Sequence, residues 1–240
     1  MMISKNEIKY IQSLFHKKNR AAENTFIAEG VKITSELLYS DFIIKKIYAL
    51  KDWACPLPTK ATIQVIEDFE LEKISNLETP NQVLVIAETK KNNNEPITKN
   101  TVSPVVDGIR DPGNLGTIIR IADWFGINQV IASEDTADIY NPKVVQSSMG
   151  SLFRINFWYK DLETFLPAAQ TNIFGAVMNG NDVYSQEKIK EGLIVIGNES
   201  NGISKNILPH LTHHITITRK GHAESLNAAV AAGIIVSHLV

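Results

Sequence analysis

Cysteine is almost missing from this chain: Cys55 is alone among 240 residues. A single thiol forms no internal disulfide and no cysteine-based zinc site, which fits a reducing compartment. Long apolar runs are also missing. Crossing a bilayer takes about 20 apolar residues, and no stretch here approaches that. The first twenty residues carry Lys5, Lys9, Lys17, Lys18 and Arg20 but no apolar core or small-residue cleavage site, so the protein is expected in the cytoplasm. Charge of one sign is not in excess. The net charge is −2, from 24 Lys and Arg against 26 Asp and Glu. That argues against a protein that coats polyanions, yet leaves room for local basic patches. No G-x-G-x-x-G follows a strand-like run, no Walker lysine motif is present, and no G-x-S-x-G elbow. Nicotinamide-dependent Rossmann enzymes, P-loop nucleotidases and α/β-hydrolases therefore drop out.

What remains is an ordinary globular composition, 44% hydrophobic and 21% charged, with length for one large or two small domains. Ile8, Ile11, Leu14 and Phe15 recur at helical spacing and predict a first helix that displays lysines on its other faces. Strand-like runs at residues 25–28, 43–50, 61–66 and 82–87, with helices at 31–39 and 69–74, predict a small α/β module over residues 1–90. Residues 91–101, rich in Asn and Lys and without apolar periodicity, read as a linker. From residue 102 to 240, strand-like runs at 102–106, 129–132, 153–158, 173–178, 193–196 and 215–218 alternate with helices. That predicts a mostly parallel sheet covered on both faces.

The second half is organised around residues 107–127, DGIRDPGNLGTIIRIADWFGI. A buried strand enters a polar, glycine-rich loop, and a helix follows with Leu115, Ile118, Ile119, Ala122 and Phe125 on one face. Asn114 is the expected N-cap and Gly126 the expected left-handed C-terminal cap. At about 100° per residue Arg120 points away from the apolar stripe, on the side of Gly116. Loops of this kind at strand carboxyl ends are where open α/β sheets bind ligands, and a guanidinium there suits phosphate or carboxylate. Two further loops stand in the same relation to strands: Gly197-Asn198-Glu199-Ser200-Asn201-Gly202, and residues 219–227 with Ser225, Leu226 and Asn227 opening the last helix. The histidines at 210, 213, 214 and 222 make a poor metal set, because adjacent residues such as His213 and His214 point to opposite faces of a strand.

Taken together, Asn114-Gly116-Arg120, Gly197-Glu199-Gly202 and Gly221-Ser225-Leu226-Asn227 resemble the three motifs of the SpoU, or TrmH-like, branch of the SPOUT superfamily of RNA methyltransferases. The front of the chain, KKNRAAENTFIAEG, resembles the substrate-binding module that precedes many such domains. The resemblance implies an α/β protein whose C-terminal SPOUT domain has a parallel sheet and a deep C-terminal trefoil knot. It implies a homodimer with the site at the subunit interface, so that Arg120 can act across it, and S-adenosylmethionine as the cofactor. The reaction implied is methylation of a ribose 2′-hydroxyl in RNA, ribosomal RNA being favoured over tRNA, with no metal and no membrane. By position, Asn114, Arg120, Glu199, Ser225 and Asn227 are the expected catalytic set. Ile196, Gly197, Gly202, Ile217 and Leu226 are expected to hold the cofactor, and Lys17, Lys18 and Arg20 to meet RNA. One departure is visible: Thr218 stands where the family usually has proline, and should alter a turn near the cofactor. A tRNA-modifying enzyme, or an RNA-binding member of the fold without chemistry, is the alternative.

Overall fold

The computed structural model describes residues 2–92 and 94–240; Met1 and Asn93, the latter inside the expected linker, lie outside the described residues. The chain forms two compact units, one reaching to Lys91 and joined by Asp138–Phe153, the other made of Asn92–Ala137 and Arg154–Val240.

The first unit contains α1 (Lys5–Ser13), α2 (Lys17–Glu23), β1 (Thr25–Glu29), α3 (Val31–Leu38), β2 (Ile44–Leu50), β3 (Thr62–Ile66), α4 (Asp68–Ile74) and β4 (Val83–Glu88). The apolar spacing that reads as one first helix is divided in two, since α1 ends at Ser13 and His16 caps α2. The sheet has the order β1-β4-β2-β3, with β2 and β3 parallel and the other pairs antiparallel. Ile11 and Leu14 meet Ile27, Tyr48, Leu84 and Ile86 in the core, together with Leu71 and Ile74 of α4. Glu67 and Glu70 close a reciprocal capping box at the start of α4, which satisfies two backbone donors that would otherwise be stranded. The helix Pro142–Ser148, encoded within residues 102–240, packs with this unit rather than with the parallel sheet. Phe26 meets Tyr140 at 4.7 Å and Phe153 at 6.3 Å between ring centroids.

The second unit holds a six-stranded, wholly parallel sheet. Its strands are β5 (Val102–Asp107), β6 (Gln129–Ser133), β7 (Asn156–Lys160), β8 (Ile173–Asp182), β9 (Gly192–Gly197) and β10 (His213–Thr216), in the order β10-β8-β9-β5-β6-β7. The helices are α5 (Pro112–Trp124), α7 (Leu162–Ala168) and α8 (Ala228–Leu239), Pro142–Ser148 being α6. β5 and β9 are the central pair, buried along almost their whole length and mostly apolar, as a sheet covered on both faces requires. Asn92 and Asn94 are fastened rather than loose: Asn92 Nδ2 donates to Phe157 O at 3.0 Å, and Trp158 Nε1 donates to Asn94 O at 2.7 Å.

α5 begins before its expected start. Asp111, not Asn114, is the N-cap, its carboxylate accepting from the Asn114 backbone N–H at 2.8 Å. Pro112 occupies the first turn with its φ already set, so the helix starts there and the Asn114 side chain is released for other bonds. At the other end Gly126 takes a left-handed φ of +71°, as its place after the apolar stripe demands.

Candidate active site

Because every strand of the second sheet runs the same way, the loops after β5, β9 and β10 leave from one edge. The first two are tied at three points. The buried Asp107 carboxylate accepts from Ser204 N at 2.7 Å and Ser204 Oγ at 3.0 Å. Asn198 Nδ2 donates to Gly108 O at 2.8 Å, and Asn114 Nδ2 donates to Glu199 Oε1. The third loop joins through Asn227, whose Nδ2 donates to Asn114 Oδ1 at 2.9 Å. Asn227 Oδ1 in turn caps α8, accepting from Ala229 N and Val230 N at 3.0 and 3.2 Å.

This chain of bonds has one permissible polarity. A carboxylate only accepts, so Asn114 must turn its amide nitrogen to Glu199 and its oxygen to Asn227. Backbone amides only donate, so Asn227 must turn its oxygen to α8 and its nitrogen to Asn114. Both ends dictate the same orientation of the two amides, which no single contact would establish. Three of the five expected catalytic residues are thus joined side chain to side chain, although they are up to 113 positions apart.

The glycines of the second loop have separate reasons. A Cβ on Gly197 would stand 2.2 Å from the Gly202 carbonyl carbon and the Ile203 nitrogen, where no side chain fits. Gly202 has φ +66°, the left-handed region in which a Cβ is strained. Asn198 and Gly202 exchange both backbone hydrogen bonds, at 3.0 and 2.8 Å, so the loop closes on itself and turns its remaining backbone outward.

Beside these loops lies a cleft of about 1270 Å³. All five residues expected to hold the cofactor, Ile196, Gly197, Gly202, Ile217 and Leu226, line it, as do Glu199 and Ser225. Residues 176–179 form another wall. There β10 pairs with Phe174 and Gly175 and then with Asn181 and Asp182, so the intervening part of β8 stands off the ladder. Ile203, Ala228, Ala231 and Ile235 complete an apolar floor. Aliphatic walls with exposed loop backbone suit a flat heteroaromatic group that needs apolar contact and a few directional bonds. Ser225 is exposed and has no hydrogen-bond partner among the described residues. Thr218 is exposed on the same wall.

Arg120 is not among the cleft's lining residues. It stands exposed on α5 without a hydrogen bond or ion pair among the described residues, as its position opposite the apolar stripe requires. Gly116, expected to lie bare on the same side, is buried. Trp124, one turn beyond Arg120, is 81% exposed. Two residues that motif reading passed over also shape the site, Asp107 and Asn198. Each is a polar residue at the end of an apolar strand, a signal visible in the sequence but without a partner until the loops are brought together.

The three basic residues of the first unit separate. Lys17 and Lys18 are exposed. Arg20 is 2% exposed: Nη1 donates to the carbonyls of Leu14 and Phe15, both at 2.9 Å, and Nε and Nη2 grip the Asp138 carboxylate. The expectation that Arg20 faces RNA is therefore corrected. Its guanidinium is consumed by the interior, because a buried cation is tolerated only when paired and fully hydrogen-bonded.

A parallel sheet with three loops joined through Asn114 beside a cleft defines an α/β protein with a ligand site at the carboxyl edge of its sheet. A profile of the SpoU rRNA Methylase family matches residues 102–237, more than half of the chain, and this protein belongs to that family. The MRM3-like substrate binding domain matches residues 5–85. Among relatives, the chain is 31% identical to the 23S rRNA (guanosine(2553)-2′-O)-methyltransferase RlmP of Bacillus subtilis, covering 98% of this chain and 97% of the other. It is 30% identical to the 23S rRNA (uridine(2479)-2′-O)-methyltransferase of Streptomyces viridochromogenes, over 94% and 85%. A structure of a putative RNA methyltransferase of the TrmH family from Porphyromonas gingivalis superposes with TM-score 0.89 at 32% identity, covering 100% and 98%. An AdoMet-bound rRNA methyltransferase from Sinorhizobium meliloti gives 0.86 at 26% identity, over 100% and 96%.

Proposed function

We propose that this protein transfers the methyl group of S-adenosylmethionine to a ribose 2′-hydroxyl of ribosomal RNA. The observation that carries the reading is the Glu199–Asn114–Asn227 chain beside the apolar cleft. When bound, the cofactor supplies an electrophilic methyl that already carries its leaving group. Ile196, Ile217 and Leu226 would flank its base, with the backbone of Gly197 and Gly202 supplying directional bonds. The protein's remaining task is to align the attacking oxygen and manage its proton.

Arg120 is suited to hold the phosphate next to that ribose, because its planar fork matches phosphate oxygens. A guanidinium is a donor and not a base, so Arg120 works as an anchor. The hydroxyl proton passes first to the phosphate oxygen so held and then to water. Asn114, Glu199, Ser225 and Asn227 orient the ribose and hold the loops in register. Lys17 and Lys18 sit in the first turn of α2 with no acid beside them. Positive charge there opposes the helix dipole, so their placement makes more sense as an RNA contact than as helix support.

The reading includes a cytoplasmic homodimer and a trefoil knot formed by the last three loops. Exposed Trp124 on α5 and Val230 on α8 support the dimer, since α5 and α8 pack together and leave these side chains uncovered. Residues 1–90 act as the RNA-binding module and 102–240 as the catalytic domain. Calorimetry with S-adenosylmethionine, followed by tritium transfer to total RNA and mapping of ribose methylation, tests the proposal. Cofactor binding with label in ribosomal RNA is expected. Label in transfer RNA would redirect the substrate, and binding of RNA without cofactor or transfer would overturn the chemistry.

A further inference from the structure

Arg110 lies in the loop after β5, between two fixed points. On one side Gly108 is pinned at both backbone groups, its N–H donating to Ser133 Oγ at 2.8 Å and its carbonyl accepting from Asn198 Nδ2 at 2.8 Å. On the other side Asp111 caps α5. The sheet order β9-β5-β6 places this loop between Glu199, which follows β9, and Asp135, which follows β6.

Asp135 is itself aimed. Ser133 Oγ donates to its Oδ1 at 2.7 Å and also lies 3.0 Å from the buried Thr136 Oγ1. The Ser133 hydrogen bond, and then Arg110, hold the Asp135 carboxyl below its ordinary range against a partly opposing burial. The second carboxylate oxygen accepts from Arg110 Nη2 at 3.1 Å. Nε and Nη1 of Arg110 have no partner among the described residues, and the side chain is 74% exposed. An ion pair this exposed adds little to stability. A buried hydroxyl pair is nonetheless arranged behind it, which fixes the direction of a guanidinium in the loop that leads from β5 into α5.

We infer that Arg110 is a second phosphate anchor, an RNA-positioning residue that Asp135 holds ready on the sheet edge that also carries the Glu199–Asn114 pair. A guanidinium with one nitrogen tethered and two free can still engage a phosphate. Tethering lowers the entropy lost when it does so. Arg110 differs from Arg120 in this respect, since Arg120 has no such tether. The inference rests on the proposed RNA methyl transfer, so its test begins with the wild-type protein. If that neither binds S-adenosylmethionine nor labels RNA, the functional proposal fails; once both are seen, the variants judge Arg110 separately.

Arg110→Ala is compared with Lys190→Ala, which removes the same charge from an exposed residue in the connection entering β9, at the opposite edge of the sheet. The expected result for Arg110→Ala is a KM for RNA raised roughly tenfold, with kcat and cofactor affinity unchanged. The slope of log binding constant against log salt should fall by about 0.7–0.9, the signature of one lost phosphate contact. Asp135→Asn keeps the cation and loses its aim, so KM should rise while the salt slope stays. Arg110→Lys should recover the slope but only part of the KM, because an ammonium lacks the fork. If Arg110→Ala matches Lys190→Ala in KM and salt slope, or if it lowers cofactor affinity instead, the inference is wrong.

Discussion

Arg20 and Arg120 lie in different units and have opposite surroundings. Arg20 ends in a closed set of acceptors, two carbonyls and the Asp138 carboxylate. Arg120 ends in solvent with no partner among the described residues. The first region uses its cation to fix its own architecture, while the second leaves its cation available. Sequence offers no distinction between them, since each is an arginine in a helical segment that a family motif includes. The difference teaches that motif membership does not settle whether a charge is structural or functional; burial and partners do.

The sharpest way to break this comparison is to remove each guanidinium. Arg20→Ala leaves the partly buried Asp138 without its partner and opens a buried site, and should cost about 3 kcal/mol of folding stability, read from denaturant titration. Methyl transfer per folded molecule should stay unchanged. Replacing both partners, Arg20→Met with Asp138→Leu, should recover most of that loss, because a well-packed apolar pair is often as stable as a buried ionic one. Arg120→Ala should do the reverse. Transfer should fall by roughly 10²-fold, which is about 2.7 kcal/mol, while stability and cofactor affinity hold. Unimpaired transfer by that variant would remove Arg120 from the mechanism.

Asn227 tests whether one residue can belong to both categories. Asn227→Ala should cost about 1 kcal/mol of stability as a lost helix cap, and transfer should fall as well because Asn114 loses a partner. Asn227→Asp keeps the cap but offers Asn114 an acceptor where it needs a donor, so activity should fall while stability is kept. The smallest effect concerns Glu29, buried in the first unit. Burial raises its carboxyl above the ordinary value of 4.5, against hydrogen bonds from Ser75 and Asn76. A raised folded value means stability is fully present below the unfolded pKa and declines as pH climbs through the folded one. One proton makes that decline at most about 1.4 kcal/mol for each step of one in pH. Glu29→Gln removes the titrating group and should flatten it. Stability curves of the two proteins from acid to neutral pH should diverge in that direction, and parallel curves would free Glu29 of the role.

Much of the fold was legible beforehand. Apolar runs located the ten strands of the described residues to within a few positions, because the strand positions that face the core have little choice of composition. Three kinds of feature were not legible. α5 starts at Pro112 because Asp111 out-competes Asn114 as cap, and a Pro at the first turn reinforces that choice. Asn92 and Asn94 look like loose linker by composition, yet a carbonyl and a side chain of β7 bind their polar groups, a pairing that composition does not reveal. Asp138–Phe153 looks like one more part of an alternating domain, and packs with the first unit through Tyr140 and Phe153.

Sequence alone determined the parallel sheet, the three glycine-bearing loops and the residue types gathered at them, since periodicity and backbone sterics act locally. Tertiary structure alone decided which polar groups meet. Asn114 faces Glu199 and Asn227 only because parallel strands deliver distant loops to one edge. Arg20 turns inward only because Asp138, 118 positions away, arrives to receive it. A hydrogen bond is short-ranged and directional, so its partners are chosen by folded geometry and not by order along the chain.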